Sequence, residues 1–297
     1  MELGFVGLGR MGLLIVEHLV EQGVRVVVFN RSPESLKQAE SFGAEAAASM
    51  TDVALKLSSP RMVWIMVTAG KPVDVVLDDL LPTLSEGDMV IDGGNSDYKD
   101  SKLRFELCKE KGIHFLDIGT SGGLEGAQHG ACLTVGGERS AYDQVEPLLQ
   151  KIAAPDGYLY VGEAGAGHYV KTIHNGMEYA LLQAYGEGLD VIKHAPYDVN
   201  LHALVRTWNH GSVIRSWLLE LLEKALKKDP SLERIEGYVG GGETGRWAIE
   251  QAESVQVNVD SIKLALKKRE ESQDHPIFSS KVVAALRAQF GGHEEKK

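Results

Sequence analysis

Two regimes of hydrophobic patterning divide this chain. As far as Val161, short apolar runs are separated by amphipathic stretches; beyond it, apolar positions recur near the helical period almost to Gln289. In the first regime Met1 to Val6, Val24 to Phe29, Met62 to Val67, Met89 to Ile91, His114 to Asp117, Ala131 to Val135 and Tyr158 to Val161 read as buried strands. Between them, Leu13 to Gln22, about Pro72 to Leu81 and about Ala141 to Ile152 read as helices, and Lys99 to Lys111 as a charged amphipathic segment. Alternation of this kind predicts an α/β fold with a doubly wound, largely parallel sheet. In the second regime Leu201 to Arg206, Val213 to Lys227 and Val257 to Arg269 read as helices, interrupted by the glycine-rich stretch Gly237 to Gly245. The expected division is therefore residues 1–163, a sheet domain, followed by residues 164–297, an all-helical domain, with the tail Gly291 to Lys297 composed like a frayed terminus.

Composition narrows the possibilities. A chain of 297 residues is long enough for two domains that each bury a core. Its net charge of −11 speaks against a nucleic-acid partner, and an anionic ligand would need a local cluster of Arg or Lys. Cys108 and Cys132 show neither metal-ligand spacing nor a disulfide framework, and no clustered His or carboxylates suggest a metal site. The first apolar run is broken at once by glycine, so it does not read as a signal peptide, and no run is long enough to span a bilayer. The expectation is a cytoplasmic protein without a membrane partner.

The first strand is followed immediately by Gly7-Leu8-Gly9-Arg10-Met11-Gly12 and then by a helix and a second strand. GxGxxG placed inside a βαβ unit has a mechanical meaning. Gly7 allows the tight turn, Gly9 lets the backbone approach a pyrophosphate, and Gly12 lets the helix pack closely on the strand. The first domain is therefore expected to be a Rossmann-type dinucleotide-binding domain. After the second strand stands Asn30-Arg31-Ser32, where an NAD-selective site normally carries an acid. Arg31 could pair with a 2′-phosphate and stack on adenine, with no carboxylate present to repel that phosphate, so NADP is favoured and NAD remains possible. Loops at Gly7, at Val67-Thr68, at Asn95 and at Ser121 all follow strands, and in such sheets ligands gather beyond the strands' carboxyl ends.

A second constellation lies between Gly165 and Gly188. On a helix, Lys171, His174, Asn175 and Glu178 fall at i, i+3, i+4 and i+7 and share one face. A base, an imidazole, an amide and an acid on one stripe suit proton-transfer chemistry, and the flanking Val170, Ile173, Met177, Ala180, Leu181 and Leu182 make this an apolar helix rather than a solvated one.

Taken in order, GLGRMG with Asn30-Arg31, Asp92-Gly-Gly-Asn-Ser96 with Tyr98, Ser121-Gly-Gly-Leu-Glu-Gly126, Gly167-His-Tyr-Val-Lys-Thr-Ile-His-Asn-Gly-Met-Glu-Tyr179, and Trp208-Asn209 with Arg215-Ser216 resemble the 6-phosphogluconate dehydrogenases of the β-hydroxyacid dehydrogenase superfamily. The likeness covers nearly the whole chain and matches a short branch with a single helical unit. It implies NAD(P)-dependent oxidation of 6-phosphogluconate at C3, then loss of CO2 to give ribulose 5-phosphate, without a metal. By this resemblance Lys171 is the general base and Glu178 the acid that protonates C1 of the enediol. Asn95, His174 and Asn175 orient the sugar, and Ser121, Gly122 and Gly123 hold the carboxylate end. Tyr179 and Arg215 bind the phosphate, with Arg246 standing near where longer members carry a Lys. Arg287 and His293 match a tail that, in longer members, enters a neighbouring subunit's site, so a homodimer or homotetramer with tail exchange is expected. Two other readings stay open: a non-decarboxylating enzyme similar to 3-hydroxyisobutyrate dehydrogenase, which would use Lys171 and Asn175 but not need Glu178, Tyr179 or Arg215, and a non-catalytic NADP-binding sensor.

Overall fold

The computed structural model describes residues 1–292. The chain falls into two compact units, Met1–Lys171 and Thr172–Lys297. The first contains β1 (Glu2–Val6), α1 (Arg10–Glu21), β2 (Arg25–Phe29), α2 (Pro33–Ser41), β3 (Glu45–Ala46), α3 (Met50–Leu55), β4 (Met62–Ile65), α4 (Lys71–Leu80), β5 (Met89–Asp92), α5 (Tyr98–Lys109), β6 (His114–Ser121), α6 (Gly123–His129), β7 (Ala131–Gly137), α7 (Arg139–Ile152) and β8 (Ala153–Gly162). A long helix, α8 (Ala166–Lys193), passes from the first unit into the second, where α9 (Leu201–Asn209), α10 (Trp217–Lys228), α11 (Glu243–Ser254), α12 (Asp260–Asp274) and α13 (Phe278–Gly291) follow.

The eight strands form one sheet in the order β3-β2-β1-β4-β5-β6-β7-β8. Every neighbouring pair is parallel except β6 with β7. Strand order reverses at β1, which lies between β2 and β4. The strands read as unbroken apolar runs because both faces of the sheet are covered. Leu3, Phe5, Val26, Val28, Trp64, Ile91 and Leu116 enter one core, with Ile15 and Leu19 of α1 and Val145 and Leu149 of α7. Their neighbours Val6, Val27, Val63, Ile65, Val90 and Phe115 enter the other, with Val53 of α3 and Val73, Leu77 and Leu80 of α4. Successive side chains of one strand thus serve opposite cores, as the two-residue period requires.

One boundary departs from the pattern. The sequence suggests a strand ending at Asp117 and a loop from Gly119 to Gly123, yet β6 runs on to Ser121 and α6 starts at Gly123. β5 pairs with β6 only as far as Asp117, whereas β7 pairs with it from Leu116 to Ser121. The second half of β6 is therefore held by a partner that comes later in the chain, a contact no local pattern announces.

The second unit has its own core, built from Leu182 and Leu189 of α8, Val205 of α9, Leu219, Leu222 and Leu226 of α10, and Val282 and Leu286 of α13. Asn200 caps α9 by accepting from the Ala203 N–H, and Ser216 caps α10 by accepting from the Leu219 N–H. The latter cap explains why α10 begins at Trp217 and not at Val213. The Ser216 hydroxyl takes the first-turn donor, and the Asn209 side chain accepts from the Ser216 N–H, holding the preceding residues out of the helix.

Candidate active site

At the strand-order reversal, the three glycines of the first loop meet three different surroundings. Gly7 has φ +105°, and a Cβ there would lie 2.4 Å from the Met66 carbonyl oxygen. A Cβ on Gly12 would lie 2.2 Å from the Gly7 carbonyl oxygen, so α1 can approach the turn only without one. Around Gly9, by contrast, a Cβ would find nothing within 4 Å. Two of the glycines are required by the fold, and the third leaves open space at the start of α1, where no side chain caps the helix. An uncapped helix N-terminus beside an open glycine suits a pyrophosphate, so the residues fit a dinucleotide. The side-chain oxygen of Asn30 accepts from the Leu8 N–H at 3.1 Å and pins the loop to the end of β2. Val67 follows β4 on the neighbouring strand, with Thr68 exposed beside it. Arg10 and Arg31 are exposed and Met11 is half-buried. The Ser32 hydroxyl donates to Glu34 at 2.7 Å, and this bond with the residue's own backbone N–H holds the Glu34 carboxyl below the usual carboxylate range. A charged acid thus stands two residues beyond the Asn30-Arg31-Ser32 triplet, against the expectation of no carboxylate there.

Asn95 is exposed on a turn held from beneath. The buried Asp92 carboxylate accepts from the Gly94 N–H at 3.1 Å and from the Ser96 hydroxyl at 2.7 Å. Arg104 of α5, itself buried, pairs with Asp92 at 3.3 Å and with Asp74 at 2.8 Å. A buried charge with several partners fixes the turn from which Asn95 projects. At the end of β6, Ser121, Gly122 and Gly123 lead into α6, with Gly122 in a left-handed conformation at φ +114°. The Lys171 ammonium donates to the Ser121 hydroxyl at 3.0 Å. The base predicted from the helical stripe and the serine predicted from the Ser-Gly-Gly motif are therefore in direct contact.

In the second unit, His174 and Asn175 stand one turn beyond Lys171 on α8, the His174 Nδ1 lying 3.3 Å from the Asn175 side-chain oxygen. Glu178 follows, and then Tyr179, which is buried. The Tyr179 hydroxyl is 3.1 Å from the Thr244 hydroxyl in the first turn of α11. A Cβ on Gly245 would be 2.6 Å from the Tyr179 ring, which accounts for the glycine in Gly242-Glu-Thr-Gly-Arg-Trp247. The Arg269 guanidinium lies over the Tyr179 ring at 3.4 Å from its centroid. Burial pushes Arg269 down to about 10; Tyr179, Glu178 and Glu243 oppose the shift, and the charge of Arg287 adds to it. Arg287 is also lowered by burial, with Tyr179 and Glu178 opposing. Two guanidiniums share this region with a tyrosine hydroxyl and a threonine hydroxyl. With the Glu178 and Glu243 carboxylates near them, these guanidinium and hydroxyl donors suit an anion that can take several charge-assisted hydrogen bonds.

Placement of the expected phosphate residues is uneven. Arg269, not among the expected phosphate residues, lies against Tyr179; its signal in the sequence is a single Arg in a Lys-rich helix. Arg287, expected at the phosphate end, belongs to α13 and interacts with Tyr179 and Glu178 of its own chain. Arg246 is exposed and paired with Glu270 at 2.9 Å, and Arg215 is exposed just before α10. His293 lies outside the described residues. Among the described residues no group of His, Cys, Asp or Glu is arranged to hold a metal, and no helix is long and apolar enough to cross a membrane.

Comparison with known proteins accords with this geometry. Residues 2–165 match the model of the NAD binding domain of 6-phosphogluconate dehydrogenase, and residues 167–289 match that of the 6-phosphogluconate dehydrogenase C-terminal domain. The chain belongs to the 6-phosphogluconate dehydrogenase family. A family member from Haloferax volcanii, named as an NAD(+)-dependent, decarboxylating 6-phosphogluconate dehydrogenase, is 44% identical over 296 residues, covering 99% of this chain and 98% of that one. The 6-phosphogluconate dehydrogenase of Plasmodium falciparum, solved apo, with NADP+ and with 6-phosphogluconate, superposes with a TM-score of 0.84 at 28% identity, covering 98% of this chain and 70% of that one. The fold is shared more widely: a 3-hydroxyisobutyrate dehydrogenase from Salmonella typhimurium gives a TM-score of 0.78 at 20% identity, over 95% of this chain and 99% of that one. The chain is thus an oxidoreductase of this family with an NAD(P)-binding first unit.

Proposed function

We propose that this enzyme oxidises 6-phosphogluconate and decarboxylates the product to ribulose 5-phosphate, with Lys171 and Glu178 moving the protons. The observation that carries this reading is the Tyr179, Thr244, Arg269 and Arg287 cluster in the second unit, because a phosphorylated substrate needs it and a small unphosphorylated hydroxy acid does not. The nicotinamide, when bound, supplies the hydride acceptor. Lys171 then takes the proton of the C3 hydroxyl. A lysine ordinarily titrates near ~10.4 and must be neutral for this step. Once protonated, its ammonium donates to the C3 oxygen, stabilising the charge that develops there as CO2 departs. Ser121, in contact with Lys171, holds the carboxylate end with the N–H groups of Gly122 and Gly123. Asn95, His174 and Asn175 orient the hydroxyls, and Glu178 returns a proton to C1. The family resemblance supports the order of steps, and the shared helix face of Lys171, His174, Asn175 and Glu178 supports their acting on one substrate. NADP is the preferred nucleotide in this reading because of Arg31, with NAD accepted.

A panel of 6-phosphogluconate, gluconate and 3-hydroxyisobutyrate, each with NADP and with NAD, tests the proposal. Reduced nucleotide should form with 6-phosphogluconate at a kcat/KM far above that of the unphosphorylated acids. Equal use of gluconate would remove the role of the arginine–tyrosine cluster, and turnover of 3-hydroxyisobutyrate alone would replace the assignment.

A further inference from the structure

Three alternate residues of β6, Asp117, Gly119 and Ser121, lie on one face of the strand, and all three engage the first turns of α8. Asp117 is fully buried. One of its carboxylate oxygens accepts from the Gly165 N–H at 2.6 Å and the other from the His168 N–H at 2.8 Å. A helix start leaves its first N–H groups without intrahelical partners, and the residues before α8, Glu163-Ala-Gly165, bring no Ser, Thr, Asp or Asn next to the helix to serve them. The cap comes instead from the strand. Two residues on, a Cβ at Gly119 would lie 2.4 Å from the Lys171 Cβ, so the lysine's own stem rests on the strand backbone. Two further on, the Ser121 hydroxyl receives the Lys171 ammonium. The helix fits as closely from its side: a Cβ at Gly167 would stand 2.2 Å from the Asp117 carbonyl oxygen. Thr134 of β7 adds a hydroxyl that donates to the Gly167 carbonyl at 3.1 Å.

We propose that Asp117 is a positioning residue for Lys171: its carboxylate clamps the start of α8 to β6 and thereby sets the depth and rotation at which the lysine stem meets Gly119 and its ammonium meets Ser121. The inference rests on Lys171 being the base of the reaction above. Its physical content is a lever. The carboxylate holds the helix at residues 165 and 168, and Lys171 follows within one turn, so a small shift at the cap is carried to the ammonium. His168 is tied in as well, its Nδ1 lying 2.8 Å from the Ser101 hydroxyl of α5. Burial pushes the Asp117 carboxyl above the usual carboxylate range, with His168 and the two N–H groups opposing and Asp92 reinforcing the shift.

Asp117→Asn tests this. The amide can accept from one of the two N–H groups but turns a donor toward the other. The full-length enzyme is assayed for kcat per nucleotide-binding site, KM for 6-phosphogluconate, Tm, and competitive acetylation of Lys171 by acetic anhydride read by mass spectrometry. Leu77→Ala, in the core beneath α4, is the stability-matched control. The expected result is a kcat per site about 10- to 100-fold lower, since displacements near 1 Å cost that much, with KM changed less and Lys171 acetylation altered relative to the exposed Lys99. Leu77→Ala should lose Tm with kcat per site and Lys171 acetylation preserved. If Asp117→Asn yields no folded protein, Thr134→Val, which removes the hydroxyl's bonds to the Gly167 and Gly119 carbonyls, should show the same split in smaller measure. Variants that lose Tm while keeping kcat per site and Lys171 reactivity would overturn the proposal. If wild-type enzyme fails to turn over 6-phosphogluconate, the functional assignment falls, and the acetylation arm alone decides whether Asp117 sets the state of Lys171.

Discussion

In the first unit, six consecutive residues from Gly7 to Gly12 provide the turn, the open approach and the helix start that a dinucleotide needs. In the second, the basic cluster draws Tyr179 from α8, Thr244 from α11, Arg269 from α12 and Arg287 from α13. One site is local in sequence and made largely of backbone; the other is assembled from side chains on four helices. The contrast shows where each is vulnerable. Backbone sites fail when a Cβ intrudes, whereas assembled sites fail when a charge is removed. On α8, Lys171 touches a strand-end serine of the first unit and Glu178 interacts with the arginines of the second.

The largest effect is expected on α8 itself. Lys171→Met should lower kcat by about 1,000-fold, as loss of a general base does, while fluorescence titration shows unchanged NADPH binding. An active variant would refute the role of the lysine. Next comes the assembled site: Arg269→Gln should raise KM for 6-phosphogluconate by about 10- to 100-fold, the worth of a charge-assisted bond or two, and leave KM for the nucleotide unaffected. Inorganic phosphate should raise the Tm of the wild type and do so far less in this variant.

The backbone site can be divided within its own motif. Gly12→Ala places a methyl group against the Gly7 carbonyl and should lower the Tm of the ligand-free protein by about 3–10 °C. Gly9→Ala meets no atom of the protein, so Tm should hold while Kd for NADPH, measured by calorimetry, rises about 10-fold or more. The same Tm loss in both would remove the distinction between folding and binding glycines. The smallest effect concerns Glu34, whose charge lies close to Ser32. Glu34→Gln should raise the ratio of kcat/KM for NADP to that for NAD by about threefold, the range of an exposed charge interaction.

The same contrast explains how much could be read from the chain. The glycine loop, the strand–helix alternation and the stripe from Lys171 to Glu178 were legible because each is written at a fixed local spacing. Arg269 was not, because its partner Tyr179 lies on a different helix and nothing in its neighbours distinguishes it from a surface cation. Arg287 was recognisable by its neighbours in sequence, whereas its nearness to Tyr179 and Glu178 of the same chain depends on how α13 packs. Asp117 looked like an ordinary strand end, since the strand that extends β6 and the helix it caps both come later. Glu34 escaped notice because the nucleotide triplet was read without the residue to which Ser32 is bonded.

The central claim is that one helix performs oxidation and decarboxylation on a single phosphorylated substrate. The direct measurement uses 6-phosphogluconate labelled at C1 and compares labelled CO2 released with nucleotide reduced in the same reaction. The account predicts equal amounts of the two throughout the time course, and loss of both in Lys171→Met. Nucleotide reduction with the label retained in a non-volatile product would contradict it.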